Sequence, residues 1–278
     1  MNELIMVVAS NLKNKNDVIR FAKSVDLSDR IHIYFINQSC TELLSDIYEF
    51  KNCKITEITT NGLIPLAQSR NIAFSSIYKN ESSENELVMF PDDDAWFPEE
   101  TIEFLLHCEK RAYALKTIDP VLNKSFNKVT DKTDKVKGRH VIKDICSICF
   151  VVPLDFLLKK RYCFNEKLGV GNEISQGEES LFIYQLYSDG LEIENDYHLV
   201  YHPYKNGNSL KNYYSMSYFW ALGLTHVSSI FLVPCVQYLI KYTIALGLIV
   251  KDKKYFKIFR IVWKGAVDGA RDTKNVLG

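Results

Sequence analysis

The sequence lacks an excess of either charge, since 34 Lys and Arg balance 34 Asp and Glu. These charges are unevenly placed. Residues 241–278 hold nine Lys and Arg against three Asp, which gives this tail a charge of +6 and leaves −6 over residues 1–240. A basic, apolar tail on an acidic body argues against a nucleic-acid binder and predicts attraction to an anionic membrane surface.

Paired cysteines and a leader segment are also lacking. The seven cysteines are odd in number and lie mostly inside apolar runs, which indicates reduced core thiols. Cys146 and Cys149 have no second Cys or His pair at the spacing that a zinc site would need. The N-terminus enters an apolar run without a basic region and a cleavage site, so we expect a cytoplasmic protein.

What the chain does contain is an alternation of apolar runs and helical patterns over residues 1–210. This alternation predicts a mostly parallel α/β sheet flanked by helices. The predicted strands are Leu4–Ala9, Ile31–Ile36, Cys53–Ile58, Leu87–Phe90, Ile145–Val152 and Tyr197–Tyr201, and the predicted helices include Asp17–Ser24, Thr41–Phe50, Leu66–Tyr78 and Glu178–Tyr187.

Residues 211–278 form a second part, which we predict to be an apolar helical segment. Tyr218–Ile240 is long enough to span a bilayer, for which roughly 20 residues suffice, but it contains His226, Pro234 and Gln237. Three interpretations stay open: amphipathic helices on the membrane surface, apolar helices packed on the body or on a partner, and a true span.

The most informative stretch is Asp92–Asp94, directly after the apolar run Leu87–Phe90. Alternate side chains of an extended chain point the same way, so Asp92 and Asp94 would face one side and Asp93 the other. Two convergent carboxylates make an oxygen site for Mg²⁺ or Mn²⁺, and ligands of open α/β sheets bind outside the carboxyl ends of strands. The alternative is a solvated acidic turn that caps a helix.

Two further segments can contribute to the same site. Glu178 and Glu179 begin a predicted helix after a glycine-bearing loop, and His202 ends a predicted strand. A carboxylate in the first turn of a helix is stabilised as the anion, so it can serve as a base near neutral pH. The three segments together predict a metal that holds a diphosphate and a separate carboxylate that accepts a proton.

Six motifs in register support a resemblance to a known family. They are Asn11 after the first strand, Asn37-Gln38-Ser39, Asn61-Gly62 before Ala67-Gln68-Ser69-Arg70-Asn71, Asp92-Asp93-Asp94, Phe164-Asn165-Glu166 before Gly177-Glu178-Glu179, and Tyr201-His202-Pro203. In this order the chain resembles the family 2 glycosyltransferases, which are inverting enzymes of the GT-A fold with a Rossmann-like sheet. The resemblance covers residues 3–203.

The resemblance implies roles for the acidic residues and the histidine. Asp94 and His202 would bind the divalent metal, with Asp92 on the metal, its water shell or the ribose. Glu179 stands at the position of the catalytic base, and Glu178 beside it would orient the acceptor or the loop. His202 could instead be a structural residue at the end of its strand.

The resemblance also implies a nucleotide-binding set, which consists of Ala9, Asn11, Asn37, Arg70, Asp92 and Asp93. For Arg70 a surface ion pair is the alternative. Relatives tend to have Asp where Asn37 stands, but an Asn carbonyl can still accept a hydrogen bond from the N–H of uracil or thymine. A UDP-sugar is therefore favoured as donor, and a dTDP-sugar is the second candidate.

From this resemblance we expect a hexosyl- or N-acetylhexosaminyl-transferase that uses Mn²⁺ or Mg²⁺ and acts on a glycan or lipid-linked acceptor. It would lie peripherally on the inner face of the cell membrane, in the synthesis of a bacterial surface polysaccharide such as a capsule. A homo-oligomer stays open. The alternatives are a catalytically degenerate membrane assembly partner and a sugar-phosphate nucleotidyltransferase, although Ala9–Lys13 lacks the glycine-rich phosphate loop of the latter.

Overall fold

The structure is a computed structural model and describes residues 2–80, 85–125, 127, 134–204, 210–249 and 253–272. The strands in these ranges are β1 (Glu3–Ser10), β2 (Ile31–Asn37), β3 (Lys54–Thr59), β4 (Glu86–Met89), β5 (Ala112–Asp119), β6 (Lys124–Ser125), β7 (Phe150–Pro153) and β8 (Ile193–Tyr201). The α-helices are α1 (Lys15–Val25), α2 (Leu66–Ile77), α3 (Glu99–His107), α4 (His140–Lys143), α5 (Leu154–Leu158), α6 (Glu178–Ser188), α7 (Leu210–Leu222), α8 (Leu232–Ile249) and α9 (Lys253–Arg271).

The strands form one sheet of eight strands with two parts that meet at β4. β3, β2, β1 and β4 lie side by side in this order, and all three of these pairs are parallel. β7 runs antiparallel to both β4 and β5, β6 pairs antiparallel with β5, and β8 pairs in parallel with β5. The predicted mixed α/β fold, with a mostly parallel sheet flanked by helices, is confirmed, and it is compatible with a Rossmann-like arrangement.

The strand order reverses at β1, because β2 lies on one side of it and β4 on the other. In open α/β sheets the binding crevice lies at such a reversal, outside the carboxyl ends of the strands. Ser10 ends β1, and Asp92–Asp94 follow shortly after β4. The acidic triplet therefore lies at the position where this class of sheet forms its binding crevice.

Four phenylalanines fix α6 beside the end of β4. Phe164 and Phe182 stack with ring centroids 4.1 Å apart, and Phe90 meets Phe164 edge-on at 5.3 Å. Phe74 on α2 lies 5.6 Å from Phe90, also edge-on. Aromatic pairs of this geometry each contribute about 0.5–1.5 kcal/mol beyond their burial. This cluster holds the first turn of α6 close to the acidic triplet.

One predicted helix is wrong. Thr41–Phe50 contains only a short 3₁₀ turn at Leu44–Asp46. Here side-chain carboxylates accept hydrogen bonds from the backbone. The Leu44 N–H donates to Glu57 Oε1 at 2.9 Å, and the Leu43 N–H donates to Asp46 Oδ2 at 2.8 Å. Hydrogen bonds from side chains to the local backbone compete with helix formation, and they do so in this segment.

The antiparallel part of the sheet also differs from the prediction. Ile145–Val152, predicted as one strand, contains a 3₁₀ turn at Ser147–Cys149 before β7 begins. β5 was not predicted from the sequence. Its apolar run is only four residues long, at 112–115, and the mostly polar residues 116–119 that follow are also typical of a loop. This irregular part of the sheet supplies one wall of the site described below.

The C-terminal helices pack on one another and on the body. Gly265 and Gly269 on α9 lie against the backbone of α7, where a side chain would collide with Tyr214 and Tyr218. The hydroxyls of these tyrosines donate to Asp268 Oδ2 at 2.9 Å and to Asp272 Oδ2 at 2.8 Å. Small residues at such spacing permit close approach of two helices, so α9 is held with one fixed face toward α7.

α7 in turn packs on the body through Phe219, which lies against Gly177 at the start of α6 and against Phe231. Within the described ranges, no helix is both long enough and apolar enough to cross a bilayer. Residues 250–252 and 273–278 of the predicted basic tail lie outside the described part of the chain.

Candidate active site

A short turn and a β-bridge bring the acidic triplet to His202. The Ala95 N–H donates to the Asp92 carbonyl at 3.1 Å, which closes the turn after β4. Trp96 then pairs antiparallel with Tyr201 at the end of β8, with N–H to O distances of 3.0 and 2.9 Å. Since His202 follows Tyr201, the bridge places the imidazole beside the triplet.

Asp92, Asp94 and His202 form a cluster whose potential ligand atoms lie within 4.8 Å of one another. His202 Nε2 lies 3.0 Å from Asp94 Oδ1 and 3.4 Å from Asp92 Oδ2. Asp93 points the other way and accepts a hydrogen bond from Ser10 Oγ at 2.5 Å. Asp92 and Asp94 thus face one side and Asp93 the other, as the sequence predicts, although the triplet lies in a turn and not in the extended chain that the prediction assumed.

The cluster strongly favours a positive charge. Burial disfavours the charged imidazole of His202, but its hydrogen bonds to Asp92 and Asp94 and their negative charges outweigh burial and raise the pKa of His202 to about 9. A divalent cation would meet the same attraction. Two carboxylates and one imidazole suit Mn²⁺ or Mg²⁺, with the remaining positions left to water or substrate oxygens, so the donor set fits the predicted cofactor.

Two arginines contact the aspartates of this cluster. Arg20 on α1 donates to the Asp94 carbonyl at 3.1 Å and lies over the Trp96 ring at 3.9 Å from its centroid. Arg70 on α2 is only 2% exposed, and its Nη2 lies 2.9 Å from Ser147 Oγ and 3.8 Å from Asp92 Oδ1. Arg70 is thus neither a surface ion pair nor part of an open nucleotide surface, but a buried counter-charge for the carboxylates.

Glu178 and Glu179 diverge at the start of α6. This helix begins after Gly177, whose φ of 99° is accessible to glycine at little cost. Glu179 Oε2 accepts a hydrogen bond from the Ser147 N–H at 2.8 Å. Consecutive helical side chains diverge by about 100°, so Glu178 points elsewhere and cannot share this environment.

Glu178 is buried, and its carboxylate lies directly against Gly169, where any side chain would overlap it. Burial above all, together with the negative charge of Glu179, raises the pKa of Glu178 to about 7, while the positive charge of Arg70 opposes the rise. A carboxyl in this position is an internal electrostatic partner of its neighbours rather than a group open to solvent.

Two clefts meet at Asp92. The first, here called the β1 cleft, has a volume of about 570 Å³ and is lined by Ala9, Ser10, Asn11, Gln38, Gly171 and the acidic triplet, among others. The second, here called the α6 cleft, has a volume of about 340 Å³ and is lined by Asp92, Ser147, Glu179, His202, Phe219 and Trp220, among others. Glu179 therefore faces a cleft that also contains two of the potential metal ligands.

Asn37 does not line either cleft. It is fully buried, its Oδ1 accepts from the Ser39 N–H at 2.7 Å, and its Nδ2 donates to Glu57 Oε1 at 2.7 Å and to the Glu42 carbonyl at 2.8 Å. The structure thus gives no support to Asn37 as the nucleobase partner. Gln38, one residue further on, lines the β1 cleft instead.

Of the predicted residues, the structure brings Ala9, Asn11, Asp92, Asp93 and Asp94 to the β1 cleft. Reasoning from the sequence missed Ser147 and Trp220 in the α6 cleft. No local pattern marks them: Ser147 lies in an apolar run that predicts a strand, and Trp220 lies in a segment that predicts a membrane-associated helix.

A scan against protein-family models finds no match for this chain, and a search of curated proteins finds none either.

Proposed function

We propose that this protein is an inverting, metal-dependent glycosyltransferase of the GT-A type. The observation that carries the proposal is that Asp92 joins two clefts, one lined by the ends of β1 and β4 and the other by Glu179. An inverting sugar transfer needs two such clefts. The acceptor hydroxyl attacks the anomeric carbon of the sugar from the side opposite to the departing nucleoside diphosphate, so the two groups lie on opposite sides of that carbon. The six motifs that resemble family 2 glycosyltransferases point to the same chemistry.

The β1 cleft would take the nucleotide of the donor, a UDP-sugar in preference to a dTDP-sugar. Asp92, Asp94 and His202 would hold Mn²⁺ or Mg²⁺, which when bound supplies positive charge next to a diphosphate leaving group. Ala9, Asn11 and Gln38 line the cleft and would contact the nucleoside. Gln38 would take the place that the resemblance assigned to Asn37: its Nε2 donates to Ser69 Oγ at 2.6 Å, and its carbonyl oxygen can accept a hydrogen bond from the N–H of uracil or thymine.

Glu179 would act as the base in the α6 cleft. The Ser147 N–H holds its carboxylate at 2.8 Å and leaves the second oxygen to accept the proton of the acceptor hydroxyl. Trp220 and Phe219 give the same cleft an aromatic wall, which suits the apolar face of a sugar ring. Glu178 and Arg70, both buried, would keep this carboxylate and Asp92 in place.

The experiment that tests this proposal is a donor screen with purified protein and Mn²⁺. UDP-sugars and dTDP-sugars are incubated with the enzyme, and release of the nucleoside diphosphate is followed with and without a glycan acceptor. Metal-dependent release from one class of donor supports a transferase. No release from any donor, with intact folding and no nucleotide binding, would favour a degenerate assembly partner. Formation of a nucleotide sugar from a sugar phosphate and a nucleoside triphosphate would favour the nucleotidyltransferase.

We place the acceptor reaction at the inner face of the cell membrane, on a glycan or lipid-linked glycan of a surface polysaccharide. The support comes from α9, whose outer face exposes Phe256 and Trp263 beside Lys257, Arg260 and Lys264. This face lies opposite Gly265 and Gly269, which pack on α7. Aromatic side chains among cations are typical of helices that lie in the interface of an anionic bilayer.

α8 adds an apolar surface to this basic one. Leu232, Val233, Val236 and Ile240 are 39–51% exposed and recur at helical spacing, so they share one side of the helix. A row of exposed aliphatic side chains is costly in water and is stabilised by contact with acyl chains. Peripheral attachment by α8 and α9 would leave the two clefts on the body accessible to a cytoplasmic donor.

A further inference from the structure

Cys146 and Cys149 form a close pair of thiols beside the proposed base. Their Sγ atoms lie 3.4 Å apart, which is contact distance for two sulfurs. Cys146 lines the α6 cleft, whereas Cys149 is fully buried at the end of the 3₁₀ turn, directly before β7. One thiol of the pair can thus be reached from the cleft, and the other lies directly behind it.

The turn between the two cysteines holds two groups of the site. The Ser147 N–H donates to Glu179 Oε2 at 2.8 Å, and Ser147 Oγ accepts from Arg70 Nη2 at 2.9 Å. Ser147–Cys149 is a 3₁₀ turn, so the backbone between the thiols has little slack. A covalent bond between the two sulfurs would therefore constrain the same short turn that places Ser147 against Glu179.

We propose that Cys146 and Cys149 are a redox modification site, at which a small peroxide closes a disulfide that displaces Ser147 and releases Glu179 from its backbone hydrogen bond. A disulfide requires an S–S distance of about 2.05 Å, so the sulfurs must approach by more than 1 Å from their present contact. Because the two cysteines are joined by only the short turn that contains Ser147, this approach of the sulfurs would displace the Ser147 amide.

The chemistry balances with one peroxide for each pair of thiols. Cys146 donates its thiol hydrogen to the Cys149 sulfur, which together with burial holds the pKa of Cys146 well above its usual range, so this proton passes to Cys149 as the Cys146 sulfur attacks one peroxide oxygen. The O–O bond breaks, and Cys146 becomes a sulfenic acid with loss of water. The Cys149 sulfur then attacks the Cys146 sulfur and expels the second oxygen as water. Two thiols are oxidised and one peroxide is reduced, and a dithiol such as dithiothreitol reverses the change.

The surroundings of Cys149 suit the second step. Burial disfavours its thiolate, but hydrogen bonds from Cys146, from the backbone and from Thr117 hold the pKa of Cys149 below its usual range. Asn127 Nδ2 also donates to Cys149 Sγ at 3.4 Å. A stabilised thiolate in contact with the thiol that meets the oxidant is the arrangement of a resolving cysteine.

The test combines mass spectrometry and amide exchange on the full chain. Protein is treated with hydrogen peroxide at increasing ratios, free thiols are blocked with iodoacetamide, and peptides are analysed for a Cys146–Cys149 disulfide. We expect this disulfide to form and to disappear with dithiothreitol, and neither Cys146→Ser nor Cys149→Ser to form it. Cys40→Ser and Cys163→Ser, which remove exposed thiols elsewhere, are the matched controls and should form it as wild type does.

Amide exchange then reports the displacement of Ser147. In the oxidised protein the Ser147 amide should exchange about tenfold faster, because it loses a hydrogen bond to a charged acceptor. Two results would overturn the proposal. One is that both thiols remain alkylatable while Cys40 and Cys163 are oxidised; the other is that the disulfide forms and the exchange of the Ser147 amide stays unchanged.

Discussion

The carboxyl edge of the sheet and the C-terminal helices place their charges in opposite ways. At the sheet edge Asp94, Arg70 and Glu178 are 3%, 2% and 6% exposed, and the Arg70 charge interacts with both Asp92 and Glu178. On α9 the cations Lys257, Arg260 and Lys264 are exposed. This contrast is the reason that we propose a small-ligand site at the sheet edge and an extended contact surface on the helix.

Buried charges at the sheet edge and exposed charges on α9 differ in how strongly each one affects its neighbours. A buried charge has a large effect on its neighbours because water does not screen it, as the raised pKa values of His202 and Glu178 show. Each exposed charge has a small effect, and only the sum over several cations is useful. A single substitution at the sheet edge should thus have a large effect on activity or stability. A single substitution on α9 should have a small effect on membrane binding.

The largest effect is expected at Glu179. Glu179→Gln keeps the shape of the side chain but removes the base, so turnover should fall by about 10²–10⁴-fold while donor affinity changes little. Glu178→Gln is the matched control, because it makes the same change one residue earlier. It should disturb acceptor affinity or local order more than the chemical step.

Steady-state turnover and donor-binding titrations on both variants decide this point. If Glu179→Gln stayed within a few-fold of wild type, the assignment of the base would be wrong. A Glu178→Gln enzyme without activity but with normal donor binding would transfer the role to Glu178.

The sheet edge was largely predictable from sequence, and the walls of the clefts were not. Asp92–Asp94 follow a short apolar strand, and the predicted pair Asp92 and Asp94 does converge, although a turn closed by the Ala95 N–H brings the two together instead of the expected extended chain. The burial of Arg70 could not be predicted, because helical spacing gives the side of α2 that faces the core but not the partner it meets there. The resemblance placed Asn37 in the nucleotide site, but its side chain is fully buried and bonded to Glu42 and Glu57, and the sequence alone does not show that the following loop covers it.

The second effect is on stability and concerns Glu178. Its pKa is about 7 in the folded protein and near 4.5 for an ordinary carboxyl, so the folded state binds this proton more tightly than the unfolded state does. The contribution to the free energy of unfolding is fully present below pH 4.5 and is lost as pH rises through 7. Glu178→Gln has no carboxyl that titrates here, so its free energy of unfolding should lack this decrease with rising pH.

Urea unfolding of metal-free protein at about pH 4.5 and about pH 8 measures the difference, with Glu103→Gln, which removes an exposed carboxylate on α3, as the control that keeps the wild-type slope. Equal pH dependence in wild type and Glu178→Gln would show that the Glu178 carboxyl is not desolvated as the structure has it.

The smallest effect is expected for single cations of α9. Lys264→Gln should weaken binding to vesicles of anionic lipid by about fivefold, since one cation near such a surface contributes about 1 kcal/mol. Lys23→Gln, which removes an exposed cation on α1, is the matched control and should bind as wild type does. Vesicle sedimentation at low and high salt is the measurement. Equal binding of all three proteins, or binding that does not weaken with salt, would contradict docking through this face.

The central claim is that Asp92, Asp94 and His202 make a divalent-cation site that holds a nucleoside diphosphate. Titration calorimetry of UDP with wild type and Asp94→Asn, each with Mn²⁺ and with EDTA, tests it most directly. The account predicts that UDP binds wild type only when Mn²⁺ is present and that Asp94→Asn loses this binding while its fold, followed by circular dichroism, is retained. UDP binding that is equal with EDTA, or that is unchanged in Asp94→Asn, would contradict it.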